Sequence, residues 1–385
     1  MTARKIALVV TARPSYARIK TALQAIQGHA DLQLQLIVTA SALLDRYGSI
    51  VNYIEQDGFK IAARVFVVLE GENLLTSAKS TGLGVMELAT SFDNLRPDIV
   101  VTVADRYETL ATAVAASYMN IPLAHVQGGE VTGSVDEKVR HAVSKLANLH
   151  FASTDGAAER LIRMGEDPRT VFVTGCPSID LAAGVLENPA LDFDPFQKYG
   201  GVGAVNELSD GYVVVMQHPV TTQISDSRAQ ITETLEAVEA MDMPALWFWP
   251  NVDAGSDDIS RGIRIFREKG QGKKFHYFKN MEPEDFLRLV YNSKAIIGNS
   301  SMGIRECSFL GVPAVNVGDR QAGRERGANV IDVPCEMKAI QSAVRTQLGH
   351  GRYEQASIYG DGKAGQRIAD LLATAELNIA KQITY

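Results

Sequence analysis

The nine residues Gly298-Asn299-Ser300-Ser301-Met302-Gly303-Ile304-Arg305-Glu306 carry more chemistry than any other stretch of this 385-residue chain. They follow the apolar run Ala295-Ile296-Ile297, which reads as the end of a buried strand. They lead into Cys307-Ser308-Phe309-Leu310 at helical spacing, and Gly311 and Pro313 stop that helix. Strand, small-residue turn and helix start are where an α/β fold presents backbone N–H groups and the positive end of a helix dipole. A diphosphate could sit there, with Ser300 and Ser301 as added donors and Glu306 one turn on to accept from a ribose diol. The alternative is an N-capped helix whose serines only satisfy backbone donors.

Other polar residues stand at the ends of apolar runs. Arg13-Pro14 follows the first, and Arg suits a bidentate phosphate contact. Asp105-Arg106 closes Ile99 to Ala104, either as functional groups or as a structural ion pair. His125-Val126-Gln127-Gly128-Gly129-Glu130 continues the next run, with the double glycine free to approach a ligand closely. Glu130, Asp136 and Glu137 follow it. These carboxylates could supply a general acid or base, or they could be a solvated helix N-terminus. Gln217-His218-Pro219, Trp249 to Ser256 with Asn251 and Asp253, and Gly318-Asp319-Arg320-Gln321 repeat the pattern later. Arg320 is a second phosphate candidate.

These residues need strands to present them. Lys5–Val10, Leu34–Thr39, Arg64–Val68, Ile99–Ala104, Leu123–Gln127, His150–Ser153 and Val171–Thr174 read as strands, with helices such as Ala17–Ile26 and Glu108–Ser117 between them. Continuous apolar strands separated by helices predict a parallel sheet covered on both faces. The stretch 188–211, with Pro189, Pro195 and several glycines, reads as a linker. Tyr212–Gln217, Ala245–Trp249, Lys274–Phe278, Ala295–Gly298, Ala314–Val317 and Asn329–Val333 then form a second strand series. Ser227–Ala240 and Pro283–Tyr291 are helices among them. The expected organisation is an N-terminal domain over 1–187, the linker 188–211, a C-terminal domain over 212–363, and residues 364–385 crossing back, helical over Ala364–Ala380. This is an α/β fold of two doubly wound domains with a cleft between them, and ligands bind outside the carboxyl ends of such strands.

A net charge of −7 argues against a nucleic-acid groove. The apolar runs are too short to span a membrane, and the first strand begins too early to leave room for a signal peptide. Cys176, Cys307 and Cys335 are odd in number and widely spaced, so neither a disulfide framework nor a metal site is expected, and a reducing cytoplasm fits. His141 and His150 read as structural.

Taken together, the motifs resemble the hydrolysing UDP-N-acetylglucosamine 2-epimerases, the sialic-acid-pathway branch of the UDP-GlcNAc 2-epimerase family. The resemblance runs from about Ile6 to Ile368. It rests on Asp105-Arg106, Gly128 to Gly133, Gly175-Cys176-Pro177-Ser178, Gln217 to Thr222, Pro250 to Ser256, Gly298 to Ser301 and Arg320 to Glu325. It implies two Rossmann-like domains in the glycosyltransferase-B arrangement, no redox cofactor, and association as a homodimer or homotetramer. Arg13, Arg106, His218, Asn251, Met281, Ser300, Ser301, Glu306 and Arg320 would line the UDP site. Asp105, His218, Glu130 and Asp136 would surround the sugar. Two positions depart from the pattern. Gln127 stands where well-known members carry a glutamate implicated in proton transfer, and an amide cannot act as a base. Ala17 stands where members can carry a nucleotide-contacting serine.

The expected reaction expels UDP from C1 while a C2 proton is removed, and water then adds with inversion at C2. Asp105 leads for the proton transfer, with Glu130 and Asp136 next; Gln127 would orient the sugar or water. Alternatives are the same chemistry on a modified UDP-sugar such as UDP-2,4-diacetamido-2,4,6-trideoxyglucose, a glycosyltransferase of the same fold, and a UDP-sugar-binding protein without turnover.

Overall fold

A computed structural model describes residues 3–45, 50–71, 73–103, 106–133, 136–220, 222–250 and 255–384. Asp105, Asn251 and Asp253 lie outside the described residues, as does the side chain of Asp136. The chain divides into two compact units. Unit 1 comprises Met1–Val131, Val135–Asp180 and Tyr359–Tyr385; unit 2 comprises Thr132–Ser134 and Leu181–Ile358. One division point thus falls inside the helix Pro177–Glu187, ahead of residue 187.

Unit 1 is built on β1 (Arg4–Val10), β2 (Leu32–Thr39), β3 (Ile61–Val65), β4 (Ile99–Val103), β5 (Leu123–Val126), β6 (Leu149–Ala152) and β7 (Val171–Val173). The spatial order is β3-β2-β1-β4-β5-β6-β7, parallel throughout. The alternation along β1 explains its unbroken apolar run. Ile6, Leu8 and Val10 pack with Leu23, Ile26, Ile368 and Leu372 on one face. Ala7 and Val9 pack with Leu88, Phe92 and Ala111 on the other. Each fully buried Leu or Ile contributes about 1.5–3 kcal/mol. Strand order reverses between β1 and β4, so their carboxyl ends flank a topological switch point.

Three expectations in this unit need correction. The third strand ends at Val65 rather than reaching Val68, and Phe66 is 67% exposed. The predicted helix from Ala17 is split into Arg13–Ala17 and Lys20–Gly28. The C-terminal helix ends at Thr374 instead of Ala380. Its apolar face, with Ile368, Ala369 and Leu372, joins the unit 1 core. The non-helical tail beyond it is held by polar contacts: Lys381 Nζ reaches Glu166 Oε2 at 2.5 Å, and Thr384 N donates to Gly165 O at 3.1 Å.

Unit 2 contains β8 (Val202–Gly203), β9 (Val213–Met216), β10 (Ala245–Phe248), β11 (Phe275–Phe278), β12 (Ala295–Gly298), β13 (Ala314–Val317) and β14 (Val330–Val333). The order is β14-β13-β12-β9-β10-β11-β8, parallel except for the short edge strand β8. The switch point lies between β9 and β12. Val213, Val215 and Ile297 face one core layer, and Val214, Met216 and Ile296 the other. The stretch read as a linker carries β8 and the helix Pro195–Tyr199. Phe196 packs on His276 and Phe278, and Lys198 Nζ lies 2.6 Å from Asp285 Oδ2. Scattered aromatic anchors and ion pairs leave no periodic signature, which is why the segment looked like a linker.

Candidate functional site

In unit 2 the carboxyl ends of β9, β12 and β13 are tied together by amides. Asn299 bridges the switch point: its Oδ1 accepts from His218 N at 2.7 Å, and its Nδ2 donates to His218 O at 2.8 Å. The carbonyl of Asn299 accepts from Gln321 Nε2 at 2.9 Å and Arg320 Nη1 at 3.3 Å. The close approach depends on Gly298, whose φ is +129; a Cβ there would lie 2.0 Å from Met216 O. His218, Ser300 and Arg320 are thereby brought to one place. Asn299 and Gln321 were not singled out from the sequence, because nothing local distinguishes an asparagine that braces two strands from a turn residue.

The expected helix start at Ser300 and Ser301 is corrected. A 3-10 turn spans Ser301–Gly303, and the α-helix begins only at Glu306 and ends at Leu310. A dipole argument over five α-helical residues is weak. Any diphosphate contact here falls to hydroxyls, amides and Arg320. Ser300 Oγ accepts from Met302 N at a long 3.4 Å, so capping uses the hydroxyl only loosely. Asn329 Nδ2 donates to Gly303 O at 3.1 Å and Val312 O at 2.9 Å, fixing the turn. Glu306, the first residue of the helix, is buried, and its Oε2 has no hydrogen-bond partner among the described residues. Met281 lies in the apolar cluster with Phe248 and Leu289, as a core residue would.

In unit 1 the candidates stand at the carboxyl ends of β1, β4 and β5. Ser15 Oγ accepts from Thr11 N and Ala12 N at 3.1 and 2.9 Å, so those amides are satisfied internally. Arg13, the first residue of the short helix that follows, is desolvated, which pulls its pKa down to about 10. It remains a cation at neutral pH. Arg106 is gripped by Glu108, with Nε to Oε2 at 3.2 Å and Nη2 to Oε1 at 3.3 Å. That partner was not anticipated.

Gln127 is 2% exposed and has φ +69. The double glycine after it does not approach a ligand through Gly129: a Cβ on Gly129 would lie 2.1 Å from Ala157 O, so its open face is filled by a neighbouring helix. Glu130 is 4% exposed, which removes the solvated-helix alternative for this residue. Arg140 Nη1 donates to Glu130 O at 2.9 Å and to Glu137 Oε2 at 2.8 Å. Asp136 opens the helix Asp136–Leu146. His141 pairs with Glu137 and His150 with Glu166, each at 2.9 Å. Burial pushes the Cys335 thiol up to about 11 and the Cys307 thiol well up, so neither is a thiolate at neutral pH.

Each unit is thus a doubly wound domain with polar groups gathered at its strand ends, the architecture of nucleotide-binding α/β proteins. The family model described as UDP-N-acetylglucosamine 2-epimerase matches residues 24–373. The chain belongs to that family and is an enzyme of it. It is 33% identical over 375 residues, 97% of each chain, to the UDP-N,N'-diacetylbacillosamine 2-epimerase (hydrolyzing) of Legionella pneumophila. It is 29% identical over 383 residues, 98% of each, to the UDP-N-acetylglucosamine 2-epimerase of Neisseria meningitidis serogroup B. The crystal structure of UDP-GlcNAc 2-epimerase from Neisseria meningitidis bound to UDP-GlcNAc matches with a TM-score of 0.79 at 19% identity, covering 96% of this chain and 99% of that one. At that identity the match speaks for the fold. Among the described residues no helix is long and apolar enough to cross a membrane.

Proposed function

We propose that the protein is a hydrolysing UDP-N-acetylglucosamine 2-epimerase, releasing UDP and N-acetylmannosamine. The observation that carries this reading is the braced junction of β9, β12 and β13, which gathers His218, Ser300 and Arg320 where a diphosphate would sit. In the first step the C1–O bond breaks, its electrons leaving with UDP. The C2 proton passes to a carboxylate, and a C1=C2 alkene remains. In the second step water adds its hydroxyl to C1, and a proton is delivered to C2 from the opposite face. Arg13, Arg106, Arg320, Ser300 and Ser301 stabilise the departing diphosphate; Asn251, Met281 and Glu306 complete the nucleotide site. His218 hydrogen-bonds or protonates the departing phosphate. Asp105 handles the C2 proton, with Glu130 and Asp136 as the other acids and Gln127 orienting the sugar or water.

Turnover in deuterated water tests the scheme. One deuteron at C2 of the product is expected; hydrogen retained there would mean internal return of the proton or simple hydrolysis without epimerisation. A second substrate is favoured by one observation: the Legionella pneumophila relative is named for UDP-N,N'-diacetylbacillosamine, a 2,4-diacetamido-2,4,6-trideoxy sugar nucleotide. A panel of UDP-sugars scored for UDP release separates the two, and UDP binding without release from any of them would leave a binding protein. The reading includes a cytoplasmic homodimer or homotetramer on a sialic-acid-type route, which light scattering of the purified chain tests for the assembly.

A further inference from the structure

Gln127 combines three features that rarely occur together. Its backbone lies in the left-handed region, φ +69, which costs a non-glycine residue about 1 kcal/mol or more. Its side chain is fixed at the nitrogen end, Nε2 donating to Cys176 Sγ at 3.0 Å, and Cys176 Sγ lies 3.0 Å from Ser178 Oγ. Its Oε1 is buried with no hydrogen-bond partner among the described residues. A buried amide oxygen left unmet is itself destabilising.

Both ends of the geometry are anchored. Gln127 N donates to Phe151 O at 2.9 Å, and Cys176 N donates to Tyr359 O at 2.7 Å. The strain and the unmet acceptor therefore persist as a fixed feature at the carboxyl end of β5. We infer that Gln127 Oε1 is the acceptor for the N-acyl N–H of the bound sugar, and that Cys176 is the positioning residue that holds the Nε2 end of the amide. This rests on the proposed function and names the group that meets the sugar's N-acyl N–H.

The thiol matters because it commits Gln127 to one polarity. An amide free to rotate could donate or accept. With Nε2 engaged, the site offers an acceptor alone. An N-acyl N–H can only donate, and it matches that acceptor.

The test compares wild type with Gln127→Met, Cys176→Ala and Cys176→Ser. It reads kcat and KM for UDP release from UDP-GlcNAc, the inhibition constant of UDP, and the thermal midpoint. Gln127→Met should lower kcat/KM about tenfold or more, mainly through KM, with UDP inhibition unchanged within about twofold. Cys176→Ala should show a smaller shift in the same direction, and Cys176→Ser should restore it, since a hydroxyl also accepts from Nε2. Unchanged kcat/KM in Gln127→Met, an equal loss of UDP inhibition and melting temperature, or failure of Cys176→Ser to rescue would overturn the assignment. If wild type turns over no UDP-sugar, the functional reading fails by itself. Calorimetric affinities for UDP-GlcNAc and UDP, now unconsumed, then read the same contrast.

Discussion

The two units share one sheet topology around their switch points yet hold their strand ends by different physics. In unit 2 the junction of β9 and β12 is closed by the Asn299 side chain on both backbone groups of His218, with Gln321 and Arg320 on the Asn299 carbonyl. In unit 1 the corresponding surface is made of charged and strained groups: Arg106 in the grip of Glu108, Gln127 in the left-handed region, and buried Glu130. A rigid amide brace suits binding a ligand portion that does not change, as a nucleotide would not. Titratable and strained groups suit bonds that do change. The difference implies that binding and turnover can be damaged separately.

The largest separation should come from the acids. Glu130→Gln, and likewise Asp105→Asn, should lower turnover by about 10²–10⁴-fold while UDP affinity stays within roughly tenfold. A UDP-release assay with calorimetry reads both, and near-normal release removes the residue from the mechanism. Next is Gly298→Ala. The new Cβ would collide with Met216 O at a backbone angle that disfavours side chains. A loss of stability of about 3 kcal/mol or more is expected in urea unfolding. If unfolding is unchanged, the β9–β12 junction is looser than described.

A smaller effect, about 1–3 kcal/mol in UDP affinity, is expected when both Ser300 and Ser301 become Ala. Unchanged affinity would leave the serines with capping alone. Asn299→Ala should weaken UDP comparably and also lower the melting temperature, since two buried backbone groups of His218 lose their partner. A variant that binds UDP normally would show the brace to be dispensable.

The smallest effect concerns unit 1 and acid. Burial raises the Glu166 pKa, but hydrogen bonds from His150, Lys145 and Lys381 outweigh it and bring it to about 2, below the ordinary 4.5. A carboxylate lowered on folding contributes stability above its unfolded pKa and loses it as pH falls. Stability should therefore drop between about pH 4.5 and pH 2. Glu166→Gln should flatten that limb of the denaturation curve; an unchanged limb would show that Glu166 does not set it.

Much of this architecture was legible in the chain. β1, β4, β5, β9, β12 and β13 are buried on both faces and write themselves as apolar runs, so their carboxyl ends, and with them Arg13, Arg106, Gln127, Glu130, His218, Ser300 and Arg320, could be placed in advance. The same logic marked Glu306, and its burial with one partnerless oxygen was not visible until its surroundings were known. The helix start at Ser300 was misread because helical spacing does not separate a 3-10 turn from an α-helix.

Composition and periodicity, then, determined the two parallel sheets and which residues stand at strand ends, because burial on both faces dictates continuous apolar strands and leaves polar groups only where strands stop. Only the tertiary structure decided what those groups touch. The bond from Asn299 to His218 spans 81 residues, that from Gln127 to Cys176 spans 49, and the tail at Lys381 reaches back 215 residues to Glu166 (381 − 166). Such pairings are selected by packing in three dimensions. A local sequence window holds no record of which partner, among many polar residues, the fold brings within 3 Å.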